Sequence, residues 1–72
     1  MNVQQKRFMR FPEVSKVSGL ARTAIYAKIN NGEFPSPYPL SDDGRAVGWL
    51  STEIDAWIEK RIKIYHNSKK RV

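Results

Sequence analysis

Arg22, Thr23, Tyr26 and Asn30 follow one another at the spacing that puts side chains on one face of a helix. A guanidinium, a hydroxyl, a phenol and an amide in that order suit the reading of polar edges and anionic oxygens. They do not suit the making or breaking of bonds. Arg22 can offer two parallel N–H donors to the O6 and N7 of a guanine. Thr23 either meets a phosphate or a thymine methyl, or serves as a substitute cap for a helix preceded by the poor cap Ala21. Tyr26 either gives its hydroxyl to a phosphate oxygen or packs its ring beside the preceding helix. Lys28 and Lys16 are either solvated or in touch with a nucleic-acid backbone. Arg45, the sole basic residue between 33 and 59, either enters a narrow minor groove or pairs with Asp42 or Asp43.

Nothing else in the chain competes for a chemical role. It has no cysteine and one histidine, His66, so no thiolate site, disulfide framework or histidine metal cluster is expected. No nucleophile–base constellation, carboxylate pair or phosphate-cradling glycine loop is present. The expectation is therefore a non-enzymatic protein without cofactor, metal or small-molecule substrate. The net charge of +6 is unevenly distributed. Residues 1–32 hold six basic and one acidic side chain, residues 33–59 one basic and six acidic, and residues 60–72 six basic and no acidic. Two positive blocks around an acidic one favour a polyanionic partner. No apolar run approaches the roughly 18 residues of a membrane span, and the polar start lacks the apolar stretch of a leader. A cytoplasmic protein, nucleoid-associated when bound to DNA and without a membrane partner, is expected.

The elements that must present these groups can be read from punctuation and period. Residues 1–6 are expected to be flexible, and 7–11 to form a short strand with one buried face. Pro12 suits the first turn of a helix whose inward stripe is Val14 and Val17, and Gly19 ends it with a positive φ. A second helix is expected from Arg22 to Asn30, with Ile25 and Ile29 inward, closed by Asn31-Gly32. Prolines 35, 37 and 39 exclude helix and favour an extended segment. Ser41-Asp42-Asp43-Gly44 then turns it into a returning strand over 46–50, a small wing. A last helix opens at Thr52 with Asp55 as its capping-box partner, and carries Ile54, Trp57, Ile58, Ile62 and Tyr65 at helical spacing. Residues 65–72 are expected to be a disordered basic tail. The core is expected to comprise Phe8, Phe11, Val14, Val17, Leu20, Ile25, Ile29, Phe34, Val47, Trp49, Leu50, Ile54, Trp57 and Ile58. That gives a mainly α domain over 7–64 with a small β-hairpin, a winged helix-turn-helix.

The fragments Arg10-Phe11-Pro12-Glu13-Val14, Gly19-Leu20-Ala21-Arg22-Thr23-Ala24-Ile25-Tyr26 and Asn31-Gly32-Glu33-Phe34-Pro35 occur in that order. Gly44-Arg45-Ala46-Val47-Gly48-Trp49-Leu50 and Thr52-Glu53-Ile54-Asp55-Ala56-Trp57-Ile58 follow. Together the chain resembles the AlpA family of phage and genomic-island regulators, placed with the excisionases among MerR-like winged-helix proteins. The resemblance implies a second helix in the major groove, here Arg22, Thr23, Tyr26 and Asn30, and a wing at Gly44-Arg45 on the backbone or minor groove. It implies double-stranded DNA as partner, with an integrase or adjacent copies of the chain as helpers. Ala21 and Ala27 depart from the family pattern, which usually has serine or threonine at the first position and arginine at the second.

The function these observations imply is sequence-preferring duplex DNA binding. The role is that of a prophage or genomic-island transcription regulator or of an excisionase, a recombination directionality factor. The alternative is a small protein-interaction factor of the same fold that inhibits another regulator, docking through the acidic segment with Phe34 and Tyr38.

Overall fold

In the computed structural model, residues 6–70 are described, the side chains of 68–70 excepted. Strand β1 (Phe8–Met9) leads into helices α1 (Phe11–Ser18) and α2 (Arg22–Asn30). Strands β2 (Tyr38–Pro39) and β3 (Val47–Leu50) form the wing, and β3 runs directly into helix α3 (Ser51–Lys70). The three strands make one antiparallel sheet in the order β1-β3-β2. This is the winged helix-turn-helix expected from the sequence.

The helix pair is held at its turn by features short enough to follow atom by atom. Arg10 precedes α1 without a side-chain cap, and Pro12 occupies the first turn, where its missing N–H costs nothing. Gly19 adopts φ 76° and returns its N–H to the Ser15 carbonyl at 2.9 Å. The Ser15 hydroxyl donates to the Leu20 carbonyl at 2.7 Å, and the Leu20 N–H donates to the Ser18 hydroxyl at 3.3 Å. Two serines thus lock the turn that carries the chain into α2. At its far end α2 closes with Gly32 at φ 75°. There Gly32 N donates to Ile29 O at 3.0 Å and Glu33 N to Lys28 O at 2.7 Å, the paired bonds of a Schellman cap.

The core is Met9, Val14, Ile25, Phe34, Trp49 and Ile54, with Phe11, Leu20, Tyr26, Ile29, Val47, Trp57 and Ile58 packed around it. Trp49 lies at its centre, fully buried. Its ring meets Phe11 of α1 (centroids 6.2 Å) and Tyr26 of α2 (6.3 Å). The extended stretch after α2 is fastened by two indoles: Trp57 Nε1 donates to Glu33 O at 2.9 Å and Trp49 Nε1 to Pro35 O at 3.0 Å. Phe34 turns inward between them, its ring edge-on to Trp57 at 4.9 Å. Phe34 is therefore core, and is not available to the docking face that the protein-interaction alternative required.

Several details differ from the sequence-based expectation. Met9, not Phe8, is the buried residue of β1, because Met9 pairs with buried Trp49 across the ladder. Phe8 lies on the outer face of the sheet beside Tyr38 and remains 48% exposed. Phe8 leans over Gly48, where a Cβ would stand 3.1 Å from Phe8 Cβ and 3.0 Å from Leu40 Cδ1. Val17 is exposed because the inward stripe of α1 runs through Phe11, Val14 and the two turn serines. Helix α3 begins at Ser51, one residue early, and Ser51 ties it to the sheet: its N–H donates to Arg7 O (2.8 Å) and its hydroxyl accepts from Arg7 N (3.1 Å). Ile62 and Tyr65 are exposed, since α3 passes beyond the core after Ile58. The backbone of residues 65–70, placed in the tail by the sequence, continues α3. No proline or glycine interrupts it, and basic side chains suit a helix C-terminus. Residues 1–5, 71 and 72, the remainder of the two expected flexible ends, lie outside the described residues.

At the surface, Arg7 pairs bidentately with Glu13 and joins the start of β1 to the first turn of α1. The hydrogen bonds and charge of Arg7 hold the Glu13 carboxyl below its ordinary range. Any stability from this pair is present above the usual carboxylate range and fades only as pH falls through the depressed value. Replacing Arg7 with Gln should return the Glu13 titration, followed by carboxyl-carbon NMR, towards the ordinary range. Trp57→Phe keeps the ring against Phe34 but removes the N–H from Glu33 O. It should cost about 1 kcal/mol in urea denaturation, whereas Trp49→Ala should cost about 3–5 kcal/mol.

Candidate nucleic-acid interface

Helix α2 packs through Ile25, fully buried, and Ile29. Arg22, Thr23, Ala27 and Asn30 are exposed and Tyr26 is half-buried. One face of the helix thus carries Arg22, Thr23, Tyr26 and Asn30 together, as their spacing predicts. Ala21 caps α2 with no side-chain hydrogen bond, and no acidic residue lies in the first turn. The free N–H groups there, and the positive end of the helix dipole, remain without an anionic side chain. Thr23 does not act as the substitute cap.

Arg22 and Tyr26 share a support. The Arg22 guanidinium carbon sits 4.1 Å above the centroid of the Phe11 ring. Phe11 leans on Trp49, and Trp49 meets the edge of Tyr26. Of the two alternatives for Tyr26, the ring packing is the one seen: it meets Trp49 in the helix junction, and the residue stays half-buried on the α2 row. Among the described residues Arg22 has no ion pair or hydrogen bond through its side chain. The stack between residues 11 and 22 joins two helices and has no local sequence signal.

The other two candidate cations are differently placed. Lys28 is two residues from both Tyr26 and Asn30, about 200° around the helix from each. It reaches Glu33 at 3.8 Å and lines an open groove of about 540 Å³ with Trp57, Lys60 and Arg61. The structure separates it from the α2 row. Arg45 is 89% exposed at the wing turn, with Nε 3.9 Å from Asp43 Oδ2. Asp43 also organises the turn, because its Oδ1 accepts from the Ser41 hydroxyl (2.6 Å) and from the Arg45 N–H (3.0 Å). These bonds hold its carboxyl below the ordinary range. On the opposite flank of the wing the Tyr38 hydroxyl donates to Glu53 Oε2 at 2.9 Å, which raises the phenol above its usual value.

Among the described residues no cluster of histidine, cysteine or carboxylate side chains could hold a metal ion, and no helix is long and apolar enough to cross a membrane. The site is a solvent-facing row of polar groups on a helix, backed by an aromatic core. It can dock against a surface. It does not enclose a ligand.

Comparison with known proteins agrees with this architecture. The family model described as prophage CP4-57 regulatory protein (AlpA) matches residues 7–62. The uncharacterized protein ORF88 of Enterobacteria phage P4 is 44% identical over 61 residues, covering 85% of this chain and 67% of its own length. The DNA-binding transcriptional activator AlpA of Escherichia coli strain K12 is 34% identical over 64 residues, covering 81% of this chain and 89% of its own. No solved structure matches significantly. The family match runs from β1 through both helices and the wing into α3, and the chain belongs to the AlpA family of prophage regulatory proteins.

Proposed function

We propose that this chain is a non-enzymatic transcription regulator that binds duplex DNA in a sequence-preferring way, with α2 in the major groove and Arg22 as the principal base-reading residue. The observation that carries the reading is the solvent-facing row Arg22, Thr23, Tyr26 and Asn30 on a helix whose adjoining flank, Ile25 and Ile29, is anchored in the core. The name of the Escherichia coli relative, a DNA-binding transcriptional activator, supports it. So do the two positive blocks of the sequence.

Within this reading the roles divide by chemistry. Arg22 contacts a guanine edge, and Thr23 and Asn30 contact neighbouring base or backbone atoms. Tyr26 gives its hydroxyl to a phosphate, and phosphate contacts set register while base contacts set sequence preference. Lys28, tied to Glu33 on the other side of α2, contributes to the positive field without touching the groove. Arg45 meets the backbone or minor groove after leaving Asp43. A single module of this size buries only about 600–1,000 Å² of its own surface on DNA. Adjacent copies on repeated sites or a protein such as an integrase would supply further affinity. As an excisionase the chain would bind neighbouring sites beside an attachment site, bend them and be required for integrase-driven excision. As a promoter regulator it would act without a recombinase.

Selection of sites from random duplex DNA tests the groove reading. The wild type should yield a motif, and Arg22→Ala should lose information at one base position with a penalty of about 1–3 kcal/mol. Sequence-blind binding by the wild type would overturn it. If about four phosphates are contacted, log K should fall against log salt with a slope of roughly −3.6. Asp43→Asn keeps the Oδ1 acceptor for the turn but removes the charge beside Arg45. Binding should then tighten, whereas Arg45→Ala should make the slope shallower by about one unit if Arg45 reaches a phosphate, and a slope unchanged from wild type in Arg45→Ala would remove that contact from the interface.

A further inference from the structure

We infer that Phe11 is a positioning residue for base recognition: its ring face holds the Arg22 guanidinium in place and so sets the strength of sequence discrimination. The inference rests on the groove reading of Arg22 proposed above and assigns a second residue, on a different helix, to the same act.

Four cations of the protein are each held in one of two ways. Arg7 is held by Glu13, Lys28 by Glu33 and Arg45 by Asp43. A carboxylate orders the side chain, but it also occupies N–H donors and cancels the charge that an anionic partner would meet. Arg22 is held at 4.1 Å over Phe11 instead. Attraction between a cation and the negative face of an aromatic ring needs no N–H donor and brings no opposing charge. The donors that bidentate guanine recognition requires therefore stay available. An unrestrained arginine loses much of its rotamer freedom on docking. Stacking in the free protein means that part of this loss has already occurred, which favours the bound geometry.

The platform is itself fixed. Phe11 is the first residue of α1, half-buried, and its ring packs against the fully buried Trp49 at 6.2 Å. Trp49 lies between Phe11 and Tyr26, so Arg22 and Tyr26 of the α2 row rest on one connected aromatic unit. An aliphatic residue at position 11 can fill the same core space but has no quadrupole to attract the guanidinium.

The test compares site selection from random duplex DNA by the wild type, Phe11→Leu, Phe11→Tyr and Arg22→Ala, each checked for folding by circular dichroism. Phe11→Leu should weaken the preference at the base position lost in Arg22→Ala by about fivefold, with the other positions and the salt slope unchanged. Phe11→Tyr, which keeps the ring, should restore the wild-type preference. Full preference at that position in folded Phe11→Leu would overturn the inference while leaving the groove reading intact. A wild-type selection without any motif, or an Arg22→Ala selection that keeps every position, would overturn both, and only those results touch the groove reading. The NMR spectrum of the free wild type gives a check that needs no variant. The Arg22 δ protons should be shifted upfield by the Phe11 ring and its Nε–H should be motionally restricted. Random-coil shifts with free motion would overturn the inference even if Phe11→Leu failed to fold.

Discussion

The burial of Trp49 is the contact on which the rest of this small protein depends. The residue belongs to the wing by chain order, yet its ring lies at the centre of the molecule between α1 and α2, and its N–H reaches the segment after α2. Its partner across the ladder, Met9, brings the first strand into the same core. The wing is consequently part of the body that supports the exposed helix, and its position relative to that helix is set by close packing. In a chain with so little interior, one large aromatic residue does what several contacts share in a larger domain.

Around this centre the surface divides into groups whose charges are already matched and groups left open. The ion pairs of Arg7, Lys28 and Arg45 lie at partly or highly exposed positions, where they add little to stability. Their larger effect is on the field: each carboxylate offsets a positive charge beside it, whereas the start of α2 carries no acidic side chain against the positive end of its dipole. That region coincides with the polar row on α2. In the proposed groove reading, affinity for a polyanion and discrimination within it have separate origins in this fold, one in the dispersed charge and one in a few restrained donors.

Much of this was legible in the sequence. Gly19 and Gly32 each mark a helix end by the positive φ they tolerate, so α2 occupies the span that its flanking residues predict, Arg22 to Asn30. The proline run, the Asp-Asp-Gly turn and the returning strand likewise fold as written. The illegible parts are those decided by contacts distant in sequence. Phe8 and Met9 are adjacent and both apolar, and only the register with Trp49 and the missing side chain of Gly48 decide which of them turns inward. Val14 and Val17 suggest a stripe by spacing, but the two serines of the turn rotate the buried face away from Val17. The end of α3 has no breaker, so composition understated its length. For the candidate interface, spacing brought four residues of α2 onto one row, while the Phe11 stack and the Glu33 partner of Lys28 had no local pattern.

The fastening of the proline-rich segment has an evolutionary consequence. Both indoles grip main-chain carbonyls, of Glu33 and Pro35, and not side chains. Every amino acid supplies a carbonyl, and proline, which lacks the N–H, loses nothing where only an acceptor is required. The identities of residues 33 and 35 are thereby released from this constraint, while the count of residues between the two carbonyls is not. Divergence in this stretch should proceed by substitution far more readily than by insertion or deletion, with the two tryptophans as the fixed posts between which the intervening sequence drifts.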